Sequence, residues 1–133
     1  MTNIELMKYW IESSDEDYNT MLYMKDGYKN TWALFIGHLV IEKLLKGLFA
    51  RENAQNPVAP KVHNLILLAE KSNVDVPQNI REKIQVINTF NIGARYDDYK
   101  KTFEQKCTNE YTELQIRNIE EVRVWLKEKL IQK

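Results

Sequence analysis

Glycine and proline are scarce in this chain: four glycines and three prolines in 133 residues. So few turn-forming residues exclude a fold of many short strands and favour long helices. The single cysteine, Cys107, can form no internal disulfide, so a reducing compartment, the cytoplasm, is the expected location. Neither sign of charge prevails, with 19 basic and 19 acidic residues. That balance argues against a dedicated nucleic-acid-binding chain, although it leaves room for a local basic patch. Long uncharged apolar runs are missing too. The most apolar stretch, Trp32 to Ala50, contains His38, Glu42, Lys43 and Lys46. Each charge at mid-membrane would cost about 2.5–3.5 kcal/mol, so the stretch reads as a buried helix and not a membrane span. Met1 to Trp10 lacks a basic flank followed by an apolar run, and no secretory leader is expected. There is no Gly-rich phosphate loop, no Cys/His cluster of zinc type and no internal repeat. No metal and no cofactor are expected.

What is present is helical periodicity. Apolar content is ordinary and the length suits one domain, 1–133, with its own core. Ile4, Met7, Ile11, Ser14, Tyr18 and Met21 recur at three- and four-residue steps and predict a helix over Asn3 to Met24, closed by a left-handed glycine at Asp26-Gly27. A second helix is predicted from Lys29 to Arg51. It is apolar nearly all round, so it must be the central helix of a bundle or part of a dimer interface. Its Gly37 and Gly47 each cost about 1 kcal/mol against alanine, a cost that close approach of another backbone would offset. A loop over Glu52 to Val62 carries Pro57 and Pro60. A short helix, His63 to Lys71, follows, and then a break at Val74 to Pro77. The fourth helix is predicted over Gln78 to Ile92, with Pro77 suited to its first turn. Gly93 to Thr108 reads as a polar connection without assigned structure. The last helix, Glu110 to Ile131, carries an apolar stripe of Leu114, Val122, Trp125 and Leu130, flanked by Ile119 and Leu126. The fold class is therefore all-α, an up-and-down antiparallel bundle of about five helices.

Three constellations are candidates for chemistry. His38, Glu42 and Lys46 share one helical stripe. Such a polar line inside an apolar helix can face a ligand or a symmetry mate; equally, Glu42 can simply pair with Lys46 while His38 bonds locally. Asn91, Arg95, Tyr96 and Asp97 close the fourth helix. Arg95 there can grip phosphate bidentately, with Tyr96 stacking on a base and Asp97 orienting the guanidinium, or Arg95 and Asp97 can pair to pin the loop. His63, in His63-Asn64-Leu65, is either an acid–base or ligating residue or part of a helix cap. The late lysines and arginines, Lys100, Lys101, Lys106, Arg117, Arg123, Lys127 and Lys129, alternate with glutamates and read as a solvated mixed-charge surface.

Five segments in order carry a family resemblance. They are Trp10-x-x-Ser13-Ser14-x-x-Asp17; Gly27-Tyr28-x-x-x-Trp32-x-x-Phe35; His38-x-x-x-Glu42-Lys43-x-Leu45-Lys46-Gly47; His63-Asn64-Leu65; and Asn91-x-x-Ala94-Arg95-Tyr96-Asp97. Together they span nearly the whole chain and resemble the HEPN domain (higher eukaryotes and prokaryotes nucleotide-binding). The resemblance implies a five-helix bundle that commonly dimerises. Prokaryotic members are often encoded beside a minimal nucleotidyltransferase of the polymerase-β type and form a complex with it, in some cases a toxin–antitoxin pair. Other members are metal-independent ribonucleases, and others bind nucleotides or RNA. The ribonuclease branch carries an arginine followed four to six residues later by a histidine. Here Arg95 is followed by Tyr96, Asp97, Asp98, Tyr99, Lys100 and Lys101, and the only histidines are His38 and His63. That motif is absent, as are the nucleotidyltransferase's own Gly-Ser and Asp-x-Asp signatures.

The expectation is thus a non-catalytic interaction and nucleotide-binding module, acting as a homodimer with a nucleotidyltransferase partner. Arg95, Tyr96, Asp97, Asn91, His38, Glu42, Lys46 and His63 are its ligand- or partner-binding residues. The alternatives are a divergent, toxin-like ribonuclease using Arg95 and Tyr96 with His63 supplied through space, and a stand-alone nucleotide- or RNA-binding protein.

Overall fold

A computed structural model describes residues 1–132. Seven helices follow one another: α1 (Asn3–Asp26), α2 (Asn30–Glu52), α3 (Leu65–Lys71), α4 (Gln78–Asn88), α5 (Phe90–Arg95), α6 (Asp97–Lys106) and α7 (Asn109–Ile131). No strand occurs among the described residues. The all-α bundle expected from periodicity is what forms.

Of the two fates open to α2, the bundle centre is the one it takes. It packs against α1, α3, α4, α5, α6 and α7. Leu34, Val40, Ile41, Leu44, Leu45 and Leu48 are fully or almost fully buried. Burying side chains of this size contributes about 1.5–3 kcal/mol each against exposure. Gly37 lets α7 close in: a Cβ there would sit 2.4 Å from Ile119 Cδ1. Gly47 faces α1, where a Cβ would lie at ordinary van der Waals distance, 3.5 Å from the Met7 carbonyl oxygen, so the approach of α1 does not by itself require glycine there.

α1 starts in a full capping box. The Thr2 hydroxyl accepts from Glu5 N–H at 3.1 Å, and the Glu5 carboxylate accepts from Thr2 N–H at 3.4 Å. Its end corrects the sequence reading. Gly27 has φ −87°, and Tyr28 instead takes the left-handed conformation at φ 59°. Tyr28 N–H bonds Lys25 O at 3.0 Å and Lys29 N–H bonds Met24 O at 2.8 Å, the pair that defines a Schellman closure. The left-handed residue of that motif is the one before the residue donating back to Met24, which places it on Tyr28.

The largest departure lies between residues 88 and 108. The predicted helix over Gln78 to Ile92 breaks at Thr89 into α4 and α5, and the expected polar connection is itself mostly helical, forming the end of α5 and all of α6. α6 has one deeply buried anchor, Phe103, whose ring lies 5.7 Å from that of the fully buried Phe90. Gly93 makes room for it, because a Cβ there would be 2.6 Å from Phe103 Cγ. A single aromatic anchor in a polar decapeptide leaves almost no periodic signal. In α7 the buried stripe runs through Ile116, Ile119, Val122, Leu126 and Leu130, whereas Leu114 is 46% exposed on the opposite face. No described helix is long and apolar enough to cross a membrane.

Candidate functional site

The short helix α3 starts at Leu65, and Asn64 is its cap: Asn64 Oδ1 accepts from the N–H groups of Ile66 (3.1 Å) and Leu67 (3.2 Å). His63 therefore stands one residue outside the cap, free to turn inward toward α2. Its Nδ1 lies 2.8 Å from Glu42 Oε1. A carboxylate only accepts, so Nδ1 carries the hydrogen. His38, one turn before Glu42 on α2, places Nε2 3.0 Å from the His63 carbonyl oxygen, which likewise only accepts, so Nε2 carries that ring's hydrogen. His38 and His63, distant in sequence, thus meet through one carboxylate and one carbonyl.

Glu42 is buried, with 4% exposure. Its second oxygen, Oε2, meets Lys46 Nζ at 3.2 Å, and Lys46 in turn lies 5.3 Å from the centre of the Trp10 ring. The expected Glu42–Lys46 pair is present, and it is one arm of a larger cluster. His38 is fully buried, with Nδ1 3.8 Å from Glu42 Oε1 and no hydrogen-bond partner. Burial pushes its pKa down to about 4, against the opposing pull of Glu42, and the charges of His63 and Arg95 reinforce the fall. At neutral pH His38 is an uncharged strut between α2 and the loop before α3.

The His63 side chain is 46% exposed and opens onto a cleft it shares with Asn64, Asn88, Asn91 and Ile92. Asn88 Oδ1 accepts from Leu65 N–H at 2.8 Å, which ties the end of α4 to the start of α3. Asn91 Oδ1 is buried without a hydrogen-bond partner. Asn91 and Arg95 are four residues apart on α5 and share its face. The Arg95 guanidinium lies 5.1 Å from the centre of the Phe35 ring and has no ion-pair partner among the described residues. The sequence alternative of an Arg95–Asp97 pair is not what forms; the guanidinium makes a cation–π contact with Phe35 instead. Tyr96 ends α5 with 56% of its surface exposed, and Asp97 opens α6 beside it, also exposed.

Of the eight residues singled out from sequence, His38, Glu42, Lys46 and His63 join in one cluster, Asn91 joins His63 in the cleft, and Arg95 acts electrostatically on the same cluster. Tyr96 and Asp97 project from the α5–α6 junction. Asn88 and Phe35 were not singled out. Asn88 carries no local signal, since its role exists only once α4 reaches α3. Among the described residues no group of three or more His, Cys, Asp or Glu side chains is arranged to hold a metal ion. Cys107 is buried, and burial raises its thiol pKa to about 11, so it is no nucleophile at neutral pH.

A helical bundle with a polar, histidine-bearing cleft where one helix-entry loop meets the central helix is the class of protein that fold and site define. The profile of the HEPN domain matches residues 7–130, and the chain belongs to the HEPN family. Among solved structures it is similar to TT1696 from Thermus thermophilus, with 22% identity, a TM-score of 0.76, and coverage of 92% of this chain and 97% of that one. It is also similar to ST0689, an archaeal HEPN homologue, with 18% identity, a TM-score of 0.73, and coverage of 93% and 97%. At these identities the likeness is one of fold. No curated protein sequence matches the chain significantly.

Proposed function

We propose that this chain is a non-catalytic HEPN module of the cytoplasm that binds a nucleotide in the His63–Asn91 cleft and acts as a homodimer with a polymerase-β-like nucleotidyltransferase. The observation that carries the reading is the polar cleft lined by His63, Asn64, Asn88 and Asn91, with carboxamides to read a base edge, and Arg95 one turn beyond Asn91 on α5 as a cation for phosphate. The absent Arg-to-His spacing after Arg95 supports a binding role over a catalytic one. The homodimer and the partner rest on the α5–α6 junction and the first turns of α2. There Trp32 (47%), Tyr96 (56%) and Tyr99 (58%) are exposed amid Asp97, Asp98, Lys100 and Lys101. Exposed aromatics with charges of both signs are what protein interfaces favour, and a two-fold contact matches opposite charges within one patch. Thermal shift against a nucleotide panel tests the binding role: a ligand at 100 times its Kd adds about 2.7 kcal/mol of stability. Light scattering and a native pull-down test the dimer and the partner. No shift with any nucleotide, or a monomer at micromolar concentration, removes the corresponding part.

A second reading, a divergent ribonuclease, is favoured by the orientation of His63. A buried carboxylate that fixes Nδ1–H leaves Nε2 as the ring's free acceptor, the arrangement of a general base. In that reading His63 takes the proton of a ribose 2′-hydroxyl while Arg95 and Tyr96 attend the phosphate. Cleavage of a fluorescent RNA by wild type, lost in both His63→Ala and Arg95→Ala, is the result it requires; equal cleavage by all three points to a contaminant.

A further inference from the structure

His63 stands between a buried carboxylate and an open cleft. Its Nδ1–H is committed to Glu42 at 2.8 Å, so Nε2 is the ring atom left for a ligand, on a side chain 46% exposed. When the ring is neutral, Nε2 is a bare lone pair and repels an anion. When it is protonated, Nε2–H donates, and one imidazolium serves two anions at once, Glu42 behind it and the ligand in front.

The charges around it can be counted. From α2, Glu42 is already met by Lys46 at 3.2 Å, and His38 is held neutral with its Nε2–H on the His63 carbonyl. From α3 and α4, Asn64 and Asn88 bring no charge. From α5, Asn91 brings none and Arg95 brings one positive charge without an acidic partner among the described residues. Arg95, one turn beyond Asn91 and outside the cleft's own lining, is thus one uncompensated cation, and a proton on His63, within the cleft, makes two. Two positive charges match a dianion.

Resting on the reading of the cleft as a nucleotide site, we propose that it takes a terminal phosphate, the dianion of a phosphomonoester, and that binding is coupled to proton uptake by His63. A nucleoside monophosphate and a phosphorylated RNA end share this chemistry. A phosphodiester, with a single charge, leaves one of the two cations unmatched. A phosphomonoester is dianionic above its second pKa of about 6, and a site that must take up a proton to bind loses affinity as pH rises. Affinity therefore declines on the alkaline side.

The test is isothermal titration of the full chain between about pH 6 and 8.5 with AMP, cyclic AMP, and a trinucleotide RNA with and without a 5′-phosphate. In parallel, the His63 ring is followed by NMR. Wild type is expected to bind AMP at least tenfold more tightly than cyclic AMP. Its affinity should fall by up to tenfold per pH unit above neutrality, the slope for one coupled proton. His63→Gln should bind AMP more weakly at about pH 6.5, with a flat alkaline limb. The phosphorylated trinucleotide binding more tightly than AMP identifies an RNA end as the source of the phosphate; AMP binding as tightly identifies the free nucleotide. Should His63→Gln fail to fold, protonation of the wild-type His63 ring on adding AMP at about pH 7.5 still decides: its appearance supports the coupling and its absence overturns it. A flat wild-type profile, or cyclic AMP bound as tightly as AMP, overturns the proton-linked phosphate while leaving the cleft a nucleotide site. No binding by any of the four ligands overturns both.

Discussion

Glu42 and His63, 21 positions apart in sequence, meet at 2.8 Å through Oε1 and Nδ1, and this contact joins the centre of the bundle to the loop that enters α3. Glu42 is almost wholly buried, while the His63 side chain is nearly half in water. Loss of the two partners should therefore be unequal. Glu42→Ala leaves Lys46 and His38 without their anion and is expected to destabilise by about 3 kcal/mol, the scale for breaking a buried pair. His63→Ala is expected to cost about 1 kcal/mol or less, because its half of the pair is solvated. Urea unfolding of both variants measures this. Equal losses would show that the carboxylate is not the cluster's anchor.

His38 makes stability depend on pH. Unfolded, it takes a proton near 6.5; folded, burial delays this to about 4. Between those values the unfolded state binds more protons, so stability is fully present above 6.5 and is lost as pH falls toward 4. The shift corresponds to about 3 kcal/mol at most. Asp15 works in a lower window. Burial opposes its ionisation, but hydrogen bonds from Lys127 and Arg123 outweigh that and hold its carboxyl below the usual value, so its contribution fades only below about pH 4. The expected result is a decline in wild-type stability from pH 6.5 to 4 that His38→Gln largely lacks, read from denaturation midpoints across that range.

Gly93→Ala tests why α6 docks. The added methyl would lie within 3.0 Å of three Phe103 ring and Cβ atoms, while alanine's helix preference returns about 1 kcal/mol. Overpacking of this kind costs about 1–3 kcal/mol, so a net loss of roughly 1 kcal/mol is expected. Faster hydrogen exchange confined to α6 should accompany it. An unchanged or stabilised variant would show that Phe103 has another place to go.

Cys107 should resist alkylation. The residue is 6% exposed and its thiol pKa is raised to about 11, by burial first, so little thiolate exists at about pH 8. Iodoacetamide labelling, read by mass, is expected only when urea unfolds the chain. Rapid labelling of the native protein would place Cys107 at the surface.

Long elements are legible in the sequence. α1, α2 and α7 each exceed twenty residues and repeat their apolar positions often enough for the period to show. The α4–α6 region is not legible in that way. There α5 has six residues and α6 one deeply buried side chain, Phe103, so the decision to form helix lies in a contact with Phe90 that no local pattern contains. Tyr28 illustrates the same limit on a smaller scale: Asp26-Gly27 invites a left-handed glycine, yet the two Schellman hydrogen bonds fall one residue later.

The candidate site divides in the same way. His38, Glu42 and Lys46 are legible as one stripe because four-residue spacing on a helix is geometry the chain imposes locally. That the stripe meets the loop before α3, beyond the local Glu42–Lys46 pair, came only from tertiary structure. Asn64 caps α3, which starts at Leu65, two residues after His63, and the imidazole outside the cap meets Glu42. Asn88 and Arg95 enter from helices whose boundaries the sequence did not mark. Composition and periodicity determined that this chain is an all-helical bundle in which α2 must be covered on most sides, because a helix apolar nearly all round has few ways to leave water. Tertiary structure alone decided which polar groups meet, because short-range hydrogen bonds and ion pairs depend on approach between segments that helical period does not specify.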